Sequence, residues 1–328
     1  MCGRRYVLGC GNREVRQLSG SSVTVVKGTG DHNKLDHDLA SYRVSVRAPP
    51  TGLPACRYRY FHTVKYEDNP FHDVIWQFLY SRVTAELYGV PWAEQRRGPR
   101  AGVKSELRTW MEAQNPLPLV EGGVCFSDRF VSGVHPTVVE ATRVPGLAPP
   151  ALVGAYERVM AKLWDRPSAR GTRTVFLNRG AGEGRHVLGA RGVSGVDEYL
   201  ELPVSAATAA AKLRDARLLV TPYGSNFVNV GFLAPGSTVI VTMDREVIAN
   251  QFTVGGQAGS AVAWMAELEA LARLFGVDFR LLQYSGVTYE QVMTVTRDWD
   301  LRKAYEIKSQ QRLDVPALER LISEIVAA

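Results

Sequence analysis

The sequence predicts an α/β protein whose second half folds around a doubly wound parallel sheet. Short apolar strands are predicted at Thr174–Leu177, Leu218–Val220 and Thr238–Val241, and segments of helical pattern separate them. This alternation is typical of strand–helix–strand units, in which neighbouring strands run parallel. A chain of 328 residues with a hydrophobic content of 45% is long and apolar enough for two domains with substantial cores.

The predicted helices and one linker divide the chain into two domains. Helical patterns in the second half occupy Ser205–Leu213, Asn226–Leu233, Ala261–Phe275 and the closing segment Val315–Val326. The Pro-rich segment Pro145–Pro150 is the strongest linker candidate, and a helix is predicted over 151–163 directly after it. We therefore expect one domain over residues 1–148 and a second over residues 149–328.

The first half of the chain is predicted to combine short strands with one amphipathic helix. Ser22–Val26 and Tyr42–Val46 have the composition of strands. Asp68 or Asn69 is a suitable helix cap, and Pro70 suits the first helical position. The apolar residues that follow recur at helical spacing, namely Phe71, Val74, Ile75, Phe78, Leu79 and Val83.

The segment Arg217–Val241 is the most informative stretch of the chain. Its pattern predicts a strand, the tight turn Tyr223-Gly224-Ser225, a short helix that ends at Pro235-Gly236, and a second strand. Such a unit directs the amino end of a helix toward the carboxyl edge of a parallel sheet, where free N–H groups favour an anion such as a diphosphate. Many strand–helix–strand units of this kind bind nothing, so the pattern alone leaves both interpretations open.

The same segment resembles the signature (H)GAGxxNxxFLPPGxxVIE of glycosyltransferase family 61. The matching residues are Gly224, Asn229, Phe232, Leu233, Pro235, Gly236, Val239 and Ile240. Tyr223 stands where the family usually has His, and Ser225 stands where it has Ala. The acidic residue that closes the signature is missing, and Val241 is followed by Thr242. The family includes plant xylan arabinosyl- and xylosyltransferases, protein O-GlcNAc transferases of the secretory pathway and bacterial capsule transferases.

Three further segments resemble the same family in the expected chain order. Asn69–His72 resembles its N-x-x-H segment, and Val124–Phe126 resembles its VCF link. Thr174–Arg179, followed by Arg185, resembles its (I/L)SR…R strand and basic loop. Together these matches cover roughly residues 60 to 245.

The resemblance implies an inverting, metal-independent transferase of GT-B type, with two Rossmann-like domains that face a cleft. Such an enzyme moves a sugar from a nucleotide-diphosphate donor to a hydroxyl group of a glycan or protein, and we expect UDP-pentose or UDP-N-acetylhexosamine here. Residues 1–148 would then hold the acceptor, and residues 149–328 would hold the nucleotide sugar. No cofactor is implied beyond this donor co-substrate.

Seven residues of the second domain are predicted to bind the donor diphosphate. Arg179 follows a predicted strand and Arg185 lies in the next Gly-rich loop, and a guanidinium group can bind phosphate oxygens in a bidentate manner. For Arg185, a solvated loop arginine remains the alternative. The predicted turn and helix start add Tyr223, Gly224, Ser225, Asn226 and Asn229.

His72 is the predicted catalytic base for the acceptor hydroxyl. It would occupy the third helical position, where the positive end of the helix dipole disfavours the imidazolium form and keeps a neutral base available. A structural histidine at a helix start is the alternative interpretation. Relatives commonly carry an Asp four residues later, where this chain has Trp76, so Asp73 and Glu67 are the adjacent substitutes.

Composition limits the partners of the chain. The net charge of +6 is spread along the sequence, and the absence of zinc-finger spacing or an RNA-binding motif argues against nucleic acid as a main partner. The four cysteines form no CxxC pair and are expected to be reduced thiols. No run approaches the ~20 apolar residues of a membrane span. The first ten residues differ from a signal peptide, so a cytoplasmic location is expected unless the chain is a fragment cut below an anchor.

Other classes of function leave weaker patterns in the sequence. Asp36-His37-Asp38 has the D-x-D shape of a metal site but lies in the poorly matching amino-terminal stretch, so no metal is assigned. Gly9-Cys10-Gly11 has the G-x-G of an S-adenosylmethionine-dependent methyltransferase without the third glycine. A degenerate, non-catalytic glycosyltransferase-like binding protein is the main alternative, because Tyr223, Ser225 and Trp76 all depart from the family.

Overall fold

The computed structural model describes residues 6–9, 14–17, 43–46, 58–64, 69–79, 82–83, 86, 92–96, 105–114, 124–132, 149–181, 185–244, 268–284 and 311–328. The chain forms two compact units, Met1–Leu163 and Trp164–Ala328. The sequence places the domain boundary before the helix Pro149–Trp164, whereas this division falls at the end of that helix.

The first unit contains a mixed six-stranded sheet. Its strands are β1 (Tyr6–Gly9), β2 (Glu14–Gln17), β3 (Arg43–Val46), β4 (Tyr58–Val64), β5 (Trp92–Arg96) and β6 (Val124–Ser132), in the order β3-β2-β1-β6-β4-β5. β1 runs antiparallel to both β2 and β6, and the other pairs are parallel. The connection between β1 and β2 is too short for a parallel crossover, which explains their antiparallel pairing. The predicted strand Tyr42–Val46 is confirmed as β3, and Ser22–Val26 lies outside the described residues.

The helix Phe71–Leu79 begins as the sequence predicted but has π geometry. The side chain of Asn69 accepts a hydrogen bond from the backbone N–H of Phe71 at 3.0 Å, and its carbonyl accepts one from Asp73 at 3.0 Å. The predicted apolar face is confirmed, since all six of its side chains are buried, namely Phe71, Val74, Ile75, Phe78, Leu79 and Val83. A second helix, Glu106–Gln114, starts at Ser105, whose hydroxyl accepts from the N–H of Arg108 at 3.2 Å.

The second unit is built around a parallel five-stranded sheet, as the sequence predicted. Its strands are β7 (Arg173–Asn178), β9 (Glu198–Glu201), β10 (Ala216–Pro222), β11 (Thr238–Asp244) and β12 (Asp278–Tyr284), and β8 (Val187–Leu188) pairs separately with β13 (Gln311–Arg312). The order is β9-β7-β10-β11-β12, and all four pairs are parallel. This arrangement is consistent with a Rossmann-like α/β fold.

The helices of the second unit follow their predicted positions closely. The helix Ala206–Leu213 is capped by Ser205, and the last helix, Val315–Ala327, is capped by Asp314 with a proline in its first turn. The predicted helix after the turn at Gly224 is a 3-10 helix, Ser225–Phe232. Of the predicted helix 261–275, residues 268–274 are helical and the preceding part lies outside the described residues.

The core of the second unit joins the sheet to the last helix. Phe176, Val220 and Ile240 from three neighbouring strands pack with Leu318 and Ile322 of the helix Val315–Ala327. Because the central strands are buried on both faces, they appear in the sequence as continuous apolar runs. Among the described helices of both units, none is long and apolar enough to cross a membrane.

Candidate functional site

The carboxyl ends of β7 and β10 form the point where the strand order of the second unit reverses. β9 follows β7 in the chain and lies on one side of it, whereas β10 lies on the other side. The chain therefore leaves β7 and β10 in opposite directions. In open α/β sheets the crevice outside such a pair of strands is the usual position of a ligand.

The turn after β10 brings two arginines together at Gly224. A Cβ atom added to Gly224 would lie 2.8 Å from Nη1 of Arg185 and 3.2 Å from Nη1 of Arg179. The backbone of Gly224, with φ 136° and ψ −161°, adopts a conformation that is essentially restricted to glycine. The missing side chain therefore allows both guanidinium groups to approach the turn. Three of the residues predicted to bind the donor are adjacent in space.

Arg185 is held by an aromatic ring. Its guanidinium carbon lies 5.1 Å from the centre of the Tyr223 ring, a cation–π distance. Its Nε is buried, and among the described residues it has no hydrogen-bond partner and no acidic side chain forms an ion pair with Arg185. Its backbone has a φ of 68°, which is uncommon for a residue with a side chain and is often found at functional sites. Within the part of the chain that the structure describes, Arg185 therefore has no acidic counter-charge.

Arg179 directly follows β7 and is fixed through its backbone. The Oδ1 atom of Asn178 accepts from the N–H of Arg179 at 2.9 Å, and the carbonyl of Arg179 lies 2.7 Å from Nδ1 of His186. On the neighbouring strand, the N–H of Tyr223 donates to the carbonyl of Thr242 at 2.9 Å. Both sides of the crevice are therefore anchored by backbone hydrogen bonds.

The 3-10 helix Ser225–Phe232 begins at this turn and contains one unusual buried amide. Asn226 is 3% exposed, and its Nδ2 has no hydrogen-bond partner among the described residues. Asn226 also stands where the signature has a second glycine, a departure that the sequence comparison overlooked. Ser225 is half-buried beside it. Asn229 donates from Nδ2 to the carbonyl of Asn226 at 2.9 Å, so its amide stabilises the helix itself.

The predicted bases all belong to the first unit. His72 lies in the first turn of the helix Phe71–Leu79, and its side chain is outside the described part of the structure. Glu67 is likewise outside the described residues. Asp73 is 0% exposed, and its carboxylate accepts from Nη1 of Arg108 at 3.2 Å and from the N–H of Ser105 at 2.8 Å.

The environment of Asp73 is that of a structural ion pair. Burial raises the pKa of Asp73 above its ordinary value, and the Arg108 guanidinium beside it partly offsets this effect. A carboxylate with no exposed surface cannot reach an acceptor hydroxyl in this conformation. The interpretation of Asp73 as a substitute base is therefore disfavoured by its burial.

The described stretches of the chain contain no group of three or more His, Cys, Asp or Glu side chains that could hold a metal ion. Asp36, His37 and Asp38, the D-x-D segment, lie outside these stretches. No protein-family model matches the chain, and no curated protein is similar enough to it to count as a match.

Sequence reasoning missed the residues that hold the two arginines in place. Asn178 was visible only as part of the strand Thr174–Arg179, and its burial and four hydrogen bonds emerge from the fold. An amide at the end of a long apolar run is the signal that indicates such a role. Tyr199 and Glu201 on β9 gave no signal, because their contact with the loop after β7 depends on the pairing of the two strands.

Proposed function

We propose that this chain is a glycosyltransferase that moves a sugar from a nucleotide-diphosphate donor to a hydroxyl group of a glycan or protein. The observation that carries the proposal is the convergence of Arg179 and Arg185 on Gly224 at the strand-order reversal of the second unit. Two guanidinium groups at one glycine turn suit a ligand with two phosphoryl groups.

The chemistry of the transfer fits this arrangement. When the bond between sugar and diphosphate breaks, negative charge develops on the leaving diphosphate. Arg179, Arg185 and the N–H groups at the start of the helix Ser225–Phe232 would stabilise that charge without reorganisation. The buried Nδ2 of Asn226 is a further donor that lacks a partner within the described protein. A cationic site of this kind supports transfer that needs no divalent metal.

The finer assignments follow the resemblance to glycosyltransferase family 61. They comprise a UDP-pentose or UDP-N-acetylhexosamine donor, an inverting reaction, and a GT-B arrangement in which the first unit holds the acceptor. The first unit has a mixed sheet and not the purely parallel sheet of a Rossmann-like domain.

The direct test is turnover of a panel of UDP-sugars by the purified protein in excess EDTA. We expect release of UDP from at least one donor, and loss of most of that activity in Arg179→Ala. Arg280→Ala, which removes an exposed arginine of β12, is the matched control and should retain activity. A parent protein that turns over only after manganese is added would contradict the metal-independent mechanism.

His72 is proposed as the base that accepts the proton of the acceptor hydroxyl. Replacement of a general base typically lowers the rate by ~10²–10⁴-fold and leaves donor affinity nearly unchanged. We therefore expect His72→Asn to bind UDP normally and to turn over slowly. A lowered melting temperature with a near-normal rate would instead assign His72 a structural role.

A non-catalytic binding protein is the second candidate. It is favoured by departures from the signature at Tyr223, Ser225, Asn226 and the closing acidic position, and by the burial of Asp73 in an ion pair. UDP binding without turnover of any donor, across a broad acceptor panel, would support it. A thermal shift with S-adenosylmethionine in place of UDP would support the methyltransferase alternative.

A further inference from the structure

We propose that Tyr199 and Glu201 on β9 are positioning residues that hold the arginine loop ready for a diphosphate ligand. The arginine loop is defined as residues 179–181 and 185–187, which are the described parts of the connection between β7 and β8 together with the first residue of β8. This inference rests on the proposed function, because it assumes that Arg179 and Arg185 bind the ligand.

The first link in this arrangement is Asn178, at the end of β7. Its Oδ1 accepts from the N–H groups of Arg179 at 2.9 Å and Val187 at 3.0 Å. Its Nδ2 donates to the carbonyl of Val187 at 2.8 Å and to the hydroxyl of Tyr199 at 2.8 Å. An amide side chain has two donors and two acceptor positions, so Asn178 is fully used. It ties the two ends of the arginine loop to each other and to β9.

The second link runs along β9 to the loop backbone. The Tyr199 hydroxyl donates to Oε2 of Glu201 at 3.1 Å, and Oε1 of Glu201 accepts from the N–H of Ala181 at 2.9 Å. Glu201 also accepts from Nη2 of Arg191 at 2.8 Å, and Arg191 lies 4.4 Å from the centre of the Tyr199 ring. The carboxylate therefore holds Ala181, two residues after Arg179, at a fixed distance from β9.

The protonation states of this pair suit their roles. The hydrogen bond from Arg191 holds the pKa of Glu201 below its ordinary value, which keeps it an ionised acceptor. Burial raises the pKa of Tyr199, which keeps its hydroxyl a donor. Neither group titrates near neutral pH in this arrangement.

The backbone of Arg185 indicates that the surrounding residues hold the arginine loop in one conformation. A left-handed φ of 68° at a non-glycine residue persists only where the surroundings impose it. His186 closes the loop by its contact with the carbonyl of Arg179, and the Tyr223 ring supports the guanidinium. A loop that is ordered before binding loses less conformational entropy when the ligand arrives. Tyr199 and Glu201 therefore act on ligand affinity through the arginines and do not contact the ligand.

The test is calorimetric titration of UDP and of inorganic diphosphate into the parent and its variants, at a temperature where all are folded. Tyr199→Phe keeps the ring, which stacks on Phe176 at 5.9 Å, and removes only the hydroxyl. We expect it to weaken the binding of both probes about 3- to 10-fold, as for the loss of one hydrogen bond.

Two variants of Glu201 distinguish an effect on the position of the loop from an effect on folding stability. Glu201→Ala removes the acceptor for Ala181 and should weaken both probes about 10-fold, whereas Glu201→Gln keeps an acceptor oxygen and should recover most of the affinity. The matched control is Glu198→Ala on the same strand, which breaks ion pairs with Arg173 and Lys212 but does not touch the loop. It should lower stability without an effect on affinity.

Two different outcomes would contradict the positioning role and the proposed function. If Arg185→Ala binds UDP weakly while Tyr199→Phe and Glu201→Ala bind like the parent, the positioning role is wrong and the donor site stands. If the parent binds neither UDP nor diphosphate, the proposed function fails and the positioning role fails with it.

Discussion

Two arginines, Arg108 in the first unit and Arg185 in the second, are both packed against aromatic rings, and only Arg108 has an acidic partner among the described residues. Arg108 lies 4.8 Å from the centre of the Phe78 ring and forms ion pairs with Asp73 at 3.2 Å and Glu112 at 2.9 Å. Arg185 has a similar ring contact, yet no acidic side chain of the described residues pairs with it.

This difference separates a structural cation from a binding cation. A buried charge is tolerated when the protein supplies a partner, and the pair then fixes the packing of the elements that carry it. In the first unit, Arg108 and Asp73 join the helices Glu106–Gln114 and Phe71–Leu79 in this way. Arg185 is half-buried and has no such partner among the described residues, so its charge is available for an anion from outside. We call Arg108, Asp73 and Phe78 the first cluster, and Arg179, Arg185 and Tyr223 the second cluster. We interpret the first cluster as part of the structural core and the second as a ligand site.

The largest predicted effect is on the free energy of unfolding, and it comes from a substitution in the first cluster. Arg108→Met should lower the free energy of unfolding by about 3–5 kcal/mol at neutral pH, because it leaves the Asp73 carboxylate buried without its cation. Urea denaturation measures this loss. The exposed pair Arg280–Asp278 is the matched control, and Arg280→Met should change stability by about 0–1 kcal/mol.

The stability of Arg108→Met should also depend on pH. The pKa of Asp73 is raised already, and removal of Arg108 raises it further above the ordinary value of 3.8. The folded state then binds a proton more readily than the unfolded state, so stability rises as pH falls through the window from the folded-state pKa down to 3.8. The deficit of Arg108→Met relative to the parent should shrink on acidification. A deficit that stays constant with pH would show that lost packing, and not the unpaired carboxylate, causes it. Arg108→Met/Asp73→Asn should recover much of the stability at neutral pH.

The next largest effect comes from the turn at Gly224, which Arg179 and Arg185 both approach. Gly224→Ala should lower the free energy of unfolding by about 1–3 kcal/mol, because alanine is strained at a φ of 136°. The added methyl group would also displace Nη1 of Arg185, so UDP affinity should fall as well. Gly192→Ala is the control, since no atom of the described residues lies within 4 Å of its added Cβ. Normal stability and UDP affinity in Gly224→Ala would remove the turn from the site.

The smallest predicted effect is on UDP affinity, and it comes from a change in the shape of the cation at position 185. Arg185→Lys keeps the charge but loses the planar group that stacks on Tyr223 and binds phosphate with two parallel hydrogen bonds. UDP affinity should fall about 3- to 10-fold, with stability unchanged. Equal affinity in the lysine variant would mean that charge alone matters at this position.

The sequence predicted the central strands and most helices of the second unit because those elements are strongly patterned. β7, β10 and β11 are buried on both faces and appear as apolar runs. The strands β9 and β12 went unpredicted because they lie at the edges of the sheet, where polar residues are common.

The candidate site was predictable where its residues share a local pattern and unpredictable where they meet through the fold. Arg179 and Gly224 each follow a strand, so parallel pairing of β7 with β10 brings them together. The part played by Tyr199 and Glu201 depends on the position of β9 beside β7, which no local pattern specifies. Asp73 looked like a base beside His72, and only the packing of the helix Glu106–Gln114 identifies it as the partner of Arg108.

The most direct test of the difference between the two clusters is calorimetric titration of UDP into the parent, Arg179→Ala, Arg185→Ala and the surface control Arg280→Ala. Loss of one charge-assisted contact should weaken binding roughly 10- to 150-fold in each of the first two variants, with no change in the control. The melting temperatures of the two site variants should stay close to that of the parent. A parent that does not bind UDP, or folded Arg179→Ala and Arg185→Ala variants that bind it as tightly as the parent, would contradict the assignment of this crevice as a diphosphate site.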